Sequence, residues 1–148
     1  MCALMFRRLL RVLLRQAVLD IINHDVRIWG DGTRLHIAKT ARMNNTLFNL
    51  SSGAIRIGEY TFAGHNVSII TGTHPVEMKM EQRMNLVPSS GRDISIGNGV
   101  WIGSNAIILG PCTIGNNAVI AAGALVREDV PENVIVAGVP ARIIRAIE

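Results

Sequence analysis

The chain has 148 residues, of which 49% are hydrophobic and only 4% aromatic, so we expect a single domain with an aliphatic core. Its formal net charge is +4, but the excess arginines lie near the two chain ends without interleaved aromatic residues, so nucleic-acid binding is not favoured. Cys2 and Cys112 form no CxxC pair and are too few for a disulfide framework, which favours a reducing, cytoplasmic setting.

Residues 3–22 are predicted to form an amphipathic helix, because Arg8, Arg11 and Arg15 recur at spacings of three and four residues in an apolar segment. These charges exclude a membrane span and an ordinary signal peptide. Two interpretations of the apolar surface stay open. It packs against the domain or a neighbouring subunit, or residues 1–22 make peripheral contact with the inner face of an anionic membrane.

From residue 96 the sequence repeats with a period of six. Six consecutive hexads begin with an aliphatic residue, at Ile96, Ile102, Ile108, Ile114, Ile120 and Val126. Three earlier hexads begin at Ile57, Ala63 and Ile69. A strand this short cannot bury itself, so successive hexads must wind into a coil whose turns stack about 4.8 Å apart. Asparagines between the aliphatic positions suit the left-handed backbone that tight corners demand.

This pattern predicts an all-β solenoid of about four coils, with three hexads in each turn. We assign residues 35–148 to this repeat domain, with a less regular first turn, and residues 1–34 to the N-terminal helix and its lead-in. Residues 75–93 have no hexad register and are predicted to leave the coil as a loop, where binding residues tend to concentrate. A short helix is expected at the C-terminus.

Three motifs follow one another along the chain: THPVE at 73–77, the hexads at 94–126 and VAGVPARIIR at 136–145. In this order they resemble the hexapeptide-repeat acetyltransferases, most nearly the galactoside, maltose and polysaccharide O-acetyltransferases. The resemblance implies a left-handed parallel β-helix and a homotrimer with active sites between subunits. It also implies transfer of an acetyl group from acetyl-CoA to a hydroxyl of a sugar or polysaccharide precursor, without a metal.

His74 matches the catalytic histidine of that family. Imidazole titrates near neutral pH, so it can take a proton from a hydroxyl that then attacks the thioester directly. A covalent acetyl-enzyme is disfavoured, because Cys112 occupies an inward hexad position. His65 is a weaker candidate at an outward position, and His24 and His36 lie outside the regular coil and carry no functional expectation.

A pantetheine arm needs a prism edge that large side chains do not obstruct. Small residues that keep one edge low are Gly103, Ser104, Ala122 and Gly123. By the resemblance, Ser104 and Ala122 contribute backbone contacts to the arm, and Trp101 borders both the thioester end and the acceptor.

Arg142 and Arg145 match the two arginines of the family's C-terminal motif, where guanidinium groups suit the phosphates of CoA. Arg127 and Glu128 stand where the galactoside enzymes have threonine followed by lysine. Arg127 is expected to supply the missing cation, whereas Glu128 would be unfavourable beside a phosphate. Asn49 resembles a sugar-contacting asparagine of the family.

Glu77, Arg83 and Asn85 lie in the excursion loop (residues 75–93), where they are either solvated loop residues or contacts for an acceptor. Other functions of the same solenoid stay open: an antibiotic O-acetyltransferase acting on streptogramin or chloramphenicol, or a non-catalytic hexapeptide scaffold. A zinc site like that of the γ-type carbonic anhydrases needs three convergent histidines, and only His65 and His74 fall in the regular coil. Serine acetyltransferase is disfavoured because its large helical domain does not fit before residue 35.

Overall fold

The computed structural model describes residues 10, 11, 13, 14 and 26–148. Its strands wind into successive three-sided turns. The first turn holds β1 (Arg27–Trp29), β2 (Leu35–Ile37) and β3 (Arg42–Met43), with a 3₁₀ helix at Gly32–Arg34. The second holds β4 (Leu47–Asn49), β5 (Ile55–Ile57) and β6 (Phe62–Ala63), and the third holds β7 (Ser68–Ile70), with helix α1 (Met80–Asn85) in the loop that follows it, β8 (Ile94–Ile96) and β9 (Trp101–Ile102).

The fourth turn holds β10 (Ile107–Leu109), β11 (Cys112–Ile114) and β12 (Val119–Ile120). A fifth holds β13 (Leu125–Val126), a single bridge from Val130 to Ile114, and β14 (Val134–Ala137), after which β15 (Arg142–Ala146) turns back. We name the three parallel sheets side A (β1, β4, β7, β10 and β13), side B (β2, β5, β8 and β11) and side C (β3, β6, β9, β12 and β14). The described chain is therefore a parallel β-helix of triangular section.

The hexads build this core as their spacing predicts. Their six first positions are at most 3% exposed, and their fifth positions, from Val100 to Val130, are at most 7% exposed. Each fully buried aliphatic side chain contributes about 1.5–3 kcal/mol to folding. At the corners, Asn105 and Asn117 adopt φ values of 59° and 57°, the left-handed conformation expected of asparagine there. The predicted solenoid is confirmed.

Two details of the prediction are corrected. The regular coil begins at Arg27, ahead of residue 35, because β1 pairs in register with β4. The coil therefore has four complete turns and a fifth, where about four were expected. The prediction of a C-terminal helix is wrong, because residues 142–146 form strand β15, which pairs antiparallel with β14. Gly138, with φ of 98°, reverses the chain there, and β15 satisfies the backbone groups of the last parallel strand.

The excursion from the coil lies where the loss of hexad register places it, between β7 on side A and β8 on side B. Of the predicted helix over residues 3–22, the four described residues, Leu10, Arg11, Leu13 and Leu14, are helical and exposed, and the remainder lies outside the described residues. Among the residues that the structure describes, no helix has the length and apolar character needed to cross a membrane.

Candidate active site

His74 lies at the start of the excursion, where the chain leaves the corner between sides A and B. Its Nδ1 is 2.7 Å from the carbonyl oxygen of Arg83 and 3.2 Å from that of Leu86. Because carbonyl oxygens only accept hydrogen bonds, this arrangement requires the proton on Nδ1. In the neutral imidazole the lone pair is then on Nε2, and His74 is exposed to solvent. A neutral His74 is in the form that can accept a proton.

The two ends of the excursion are tied to each other and to the coil. Thr71 is buried, and its hydroxyl donates to the carbonyl oxygen of Asn49 at 2.8 Å. The Nε of Arg92 donates to the carbonyl oxygen of Thr71 at 2.8 Å, and Asp93 accepts a hydrogen bond from the backbone N–H of Ala54 at 2.8 Å. The loop therefore leaves and rejoins a fixed corner, which places His74 beside the second turn.

A surface cavity of about 380 Å³ opens beside His74. Its lining residues are Trp29, Asn49, Ser51, Gly72, Thr73, His74 and Val87. Asn49 Oδ1 accepts from the backbone N–H of Ser51 at 3.0 Å, which orients the amide. A Cβ on Gly72 would lie 2.6 Å from Asn49 Oδ1, so this glycine makes room for the asparagine. The structure thus brings Asn49 and His74 into one cavity.

The small residues predicted to form a low edge lie together at the corner between sides C and A. A Cβ on Gly103 would lie 2.4 Å from the backbone nitrogen of Ala122 in the next turn, and the N–H of Gly123 donates to the carbonyl oxygen of Ser104 at 2.9 Å. One turn below, the N–H of His65 donates to the Ser104 hydroxyl at 3.1 Å. His65 therefore borders this edge and lies on a different corner from His74.

Trp101 lies on the outer face of side C in β9, where it is 50% exposed. Its ring stacks on that of Phe62 in the turn below, with centroids 6.0 Å apart and planes 15° from parallel. His74 lies at the opposite corner of the prism, between sides A and B. A single chain therefore does not bring Trp101 and His74 together.

Arg127 and Arg142 line a cavity of about 370 Å³ at the last turns of the coil. Glu128 lies between them: its Oε1 is 3.6 Å from Nε of Arg127, and its Oε2 is 4.0 Å from Nη1 of Arg142. Arg145 is also in β15, and its Nη1 donates to the carbonyl oxygen of Ala146 at 2.9 Å. Two predicted phosphate ligands thus share one carboxylate.

Cys112 is buried in β11, and desolvation raises the pKa of its thiol to about 12. A thiol in that environment stays protonated at neutral pH, and the thiolate is the reactive form. Burial of the sulfur and the raised pKa together disfavour Cys112 as an acetyl-accepting nucleophile. Within the part of the chain that the structure describes, no group of three or more His, Cys, Asp or Glu residues has the arrangement of a metal site.

Comparison with known proteins identifies relatives that share this architecture. The family model for the bacterial transferase hexapeptide (six repeats) matches residues 93–128. The structure of galactoside acetyltransferase in complex with coenzyme A superposes with a TM-score of 0.66 at 34% identity, over 93% of this chain and 72% of that one. The chain belongs to the hexapeptide-repeat acetyltransferase family.

Other members of the hexapeptide-repeat acetyltransferase family are similar over a comparable region. The galactoside O-acetyltransferase of Escherichia coli strain K12 is 39% identical over 118 residues, which cover 78% of this chain and 56% of that protein. A maltose O-acetyltransferase structure from Clostridium difficile 630 has a TM-score of 0.59 at 30% identity, over 84% of this chain and 67% of that one. The chain spans about half the length of the curated relatives it matches.

Sequence reasoning missed two contributors to the candidate site. Trp29 lines the His74 cavity but lies in the segment assigned to the lead-in, where no hexad signals a strand. Arg83 was one of three loop residues that an acceptor could contact, but its guanidinium donates within its own loop, to the carbonyl oxygens of Met78 at 2.6 Å and Val76 at 2.8 Å. A cation in a loop without register carries no sequence signal for that role.

Proposed function

We propose that this protein is an acetyl-CoA-dependent O-acetyltransferase that acetylates a hydroxyl of a sugar or polysaccharide precursor, with His74 as general base. The observation that carries the proposal is the contact of His74 Nδ1 with two carbonyl oxygens, because it favours a neutral imidazole whose Nε2 can accept a proton beside a cavity that also holds Asn49. The family relationship supports the same chemistry, since one superposed relative was solved with coenzyme A.

In this mechanism, Nε2 of His74 takes the proton of the acceptor hydroxyl as the oxygen attacks the thioester carbonyl carbon of acetyl-CoA. The resulting tetrahedral intermediate collapses by breaking the carbon–sulfur bond, and the departing thiolate takes the proton back from Nε2. The products are the acetyl ester and CoA with its thiol protonated. The carbonyl oxygens of Arg83 and Leu86 hold the Nδ1 proton throughout, which stabilises the transient imidazolium.

Acetyl-CoA binding is assigned to the edge between sides C and A. The close stacking of Gly103 on Ala122 leaves no side chain to block an extended pantetheine arm along successive turns. Its phosphates are assigned to Arg127, Arg142 and Arg145 near the last turn, because guanidinium groups bind phosphate in a bidentate geometry. Contacts of the arm with Ser104, Gly123 and Trp101 belong to the same proposal.

The assembly is proposed to be a homotrimer. His74 and Trp101 lie on different sides of one prism, so a groove between two subunits is needed to join the base to the thioester end of acetyl-CoA. The exposed rings of Phe62 and Trp101 give side C an apolar surface suited to such a contact. Asn49 and Trp29 on the His74 side are then assigned to the acceptor.

A cytoplasmic setting is part of the proposal, as is a peripheral membrane contact through residues 1–22. The exposed side chains of Leu10, Leu13 and Leu14 support an apolar contact surface there. Fractionation tests it: membrane association predicts pelleting that decreases with salt and is lost when residues 1–20 are deleted. Pelleting that persists in the deletion variant would refute the contact.

The decisive experiment measures thiol release from acetyl-CoA against a panel of sugars, nucleotide sugars and antibiotics. We expect turnover with sugar hydroxyls, and His74→Ala is expected to lower kcat by about 10²–10⁴-fold, the usual contribution of a general base. His36→Ala is the matched control, since His36 is exposed on β2 at side B. Turnover of antibiotics alone would overturn the substrate class, and an unchanged rate in His74→Ala would overturn the base.

A further inference from the structure

Arg83 connects the excursion loop to the proposed base through both its side chain and its main chain. Its Nε donates to the carbonyl oxygen of Met78 at 2.6 Å, and its Nη2 donates to that of Val76 at 2.8 Å. Its own carbonyl oxygen accepts from His74 Nδ1 at 2.7 Å, the shorter of the two bonds at that nitrogen. The guanidinium therefore holds in position the carbonyl that makes the shorter of the two hydrogen bonds to His74 Nδ1.

Apart from backbone hydrogen bonds within the segment, such as that from the Leu86 N–H to the Gln82 carbonyl oxygen at 3.1 Å, the loop has few contacts that hold this carbonyl in place. Helix α1 has six residues, none of them buried, and Lys79 at its N-cap makes no side-chain capping bond. Met80, its first residue, has φ of 49°, a conformation that costs a non-glycine residue free energy. A segment without a packed apolar face depends on its hydrogen bonds for a defined shape, and the forked guanidinium supplies two of them.

We propose that Arg83 is a positioning residue for His74: by closing the loop onto the carbonyl oxygens of Val76 and Met78, it holds its own carbonyl at the Nδ1 of the base. The inference rests on the proposed role of His74, and it assigns Arg83 a task other than contact with the acceptor. Loss of this guanidinium clamp leaves His74 in place but frees the Arg83 carbonyl to move away from Nδ1, so that only the 3.2 Å contact with the Leu86 carbonyl still favours a proton there. A solvated neutral imidazole favours the Nε2–H form, which cannot accept the substrate proton at Nε2.

The first arm of the test needs no catalysis. In protein labelled with ¹⁵N-histidine, the two ring nitrogens of His74, assigned by comparison with His74→Gln, report the tautomer directly. We expect the Nδ1–H form in the wild-type protein, a shift toward Nε2–H in Arg83→Ala, and an intermediate state in Arg83→Lys, which offers an ammonium in place of a two-pronged fork. Lys79→Ala is the matched control, because it removes one cation from the same loop without removing the clamp.

The second arm measures kinetics. Arg83→Ala is expected to lower kcat by about tenfold to a hundredfold, the cost of misplacing a catalytic group by about 1 Å, while the KM for acetyl-CoA changes less than twofold. Arg83→Lys should recover part of kcat, and Lys79→Ala should match the wild type. An acceptor-binding role would instead raise the acceptor KM with kcat preserved.

The two arms separate the failure of this inference from that of the proposed function. If Arg83→Ala keeps the Nδ1–H tautomer and a wild-type kcat, the positioning role is wrong whatever reaction the enzyme performs. If the wild-type protein releases no thiol with any acceptor while Arg83→Ala still changes the tautomer, the proposed function fails and the clamp stands. Arg83→Lys, read by the same spectra, decides the matter if the alanine variant does not fold.

Discussion

Removing the carboxylate of Glu128 should tighten the binding of CoA. Glu128 lies 3.6 Å from Arg127 and 4.0 Å from Arg142, so a phosphate bound by these guanidinium groups would lie close to a like charge. Two unit charges 4 Å apart in water interact by about 1 kcal/mol, and this value applies because the Glu128 side chain is 65% exposed. Relief of that repulsion corresponds to about a fivefold lower Kd in Glu128→Gln.

Isothermal titration of CoA at roughly 0.01 M and roughly 1 M salt would measure this effect, since the screening length falls from about 30 Å to about 3 Å between them. The gain should be present at low salt and nearly absent at high salt. Glu132→Gln is the control, because it removes the same charge from an exposed turn and, within the described residues, breaks no ion pair. Weaker binding by Glu128→Gln, or an equal gain in the control, would refute the reasoning.

Two further predictions concern the buried thiol and the acceptor side of the site. Cys112→Ala should retain kcat, and the wild-type Cys112 should resist thiol reagents at pH 8 until the protein unfolds. The pKa of this thiol is raised from 9.0 to about 12, so its protonated form favours the folded state below pH 9, and that stabilisation is lost as pH rises toward 12. Urea unfolding of both proteins at pH 7 and 10.5 would measure this loss of stability. Asn49→Ala should raise the acceptor KM by about fivefold to a hundredfold, the cost of one hydrogen bond, and should leave the acetyl-CoA KM unchanged. Steady-state kinetics would measure both constants. A rise in the acetyl-CoA KM instead would remove Asn49 from the acceptor side.

The regular part of the fold was predictable because each hexad has to satisfy the same local requirement. An aliphatic residue must face inward in every turn, as Ile102 and Ile120 do, and a residue that tolerates positive φ must turn the corner, as Asn105 does. These demands repeat every six residues and are visible in one sequence. Strand β1 was not predicted because Ile28 is 49% exposed, so burial imposes no periodic pattern there.

The C-terminal strand escaped for a different reason. Ile143 and Ile144 are adjacent apolar residues between two arginines, a spacing that fits a helix or a strand equally well. The choice is made by pairing with β14, a tertiary contact that includes a register shift between Ile135 and Val136. Gly138 and Pro140 indicate a turn, but they do not specify whether a helix or a strand comes after it.

The candidate site also has one part that the sequence predicts and one part that it does not. His74 lies in a short motif that can be recognised in the sequence. Its hydrogen-bond partners are backbone carbonyl oxygens, which every residue has, so no residue type indicates them. Arg83 is nine positions from His74 in a loop without register, so only the folded loop shows the bond between them. The sequence could indicate a base, but the carbonyl contacts that favour a proton on Nδ1 exist only in the folded chain.

The position of the base and the cofactor edge on different sides of one prism leads to a final prediction. In the proposed trimer, each site takes His74 from one subunit and the Ala122 edge from its neighbour. His74→Ala should lower turnover by about 10²–10⁴-fold, and Ala122→Trp should lower it severely because a large side chain obstructs the pantetheine arm. Unfolding the two variants together and refolding them in equal amounts should restore about a quarter of wild-type activity, because random mixing supplies each intact half one time in two.

The control for this mixing experiment is each variant refolded alone, which should stay inactive. Mixing without prior unfolding should restore activity only as fast as subunits exchange, which distinguishes a shared site from a contaminant. If each chain carried a complete site, every chain in a mixed trimer would still contain one of the two substitutions, and the mixed trimers would stay inactive. That outcome would place base and cofactor in one subunit and would require the excursion loop to carry His74 from the corner of sides A and B to side C.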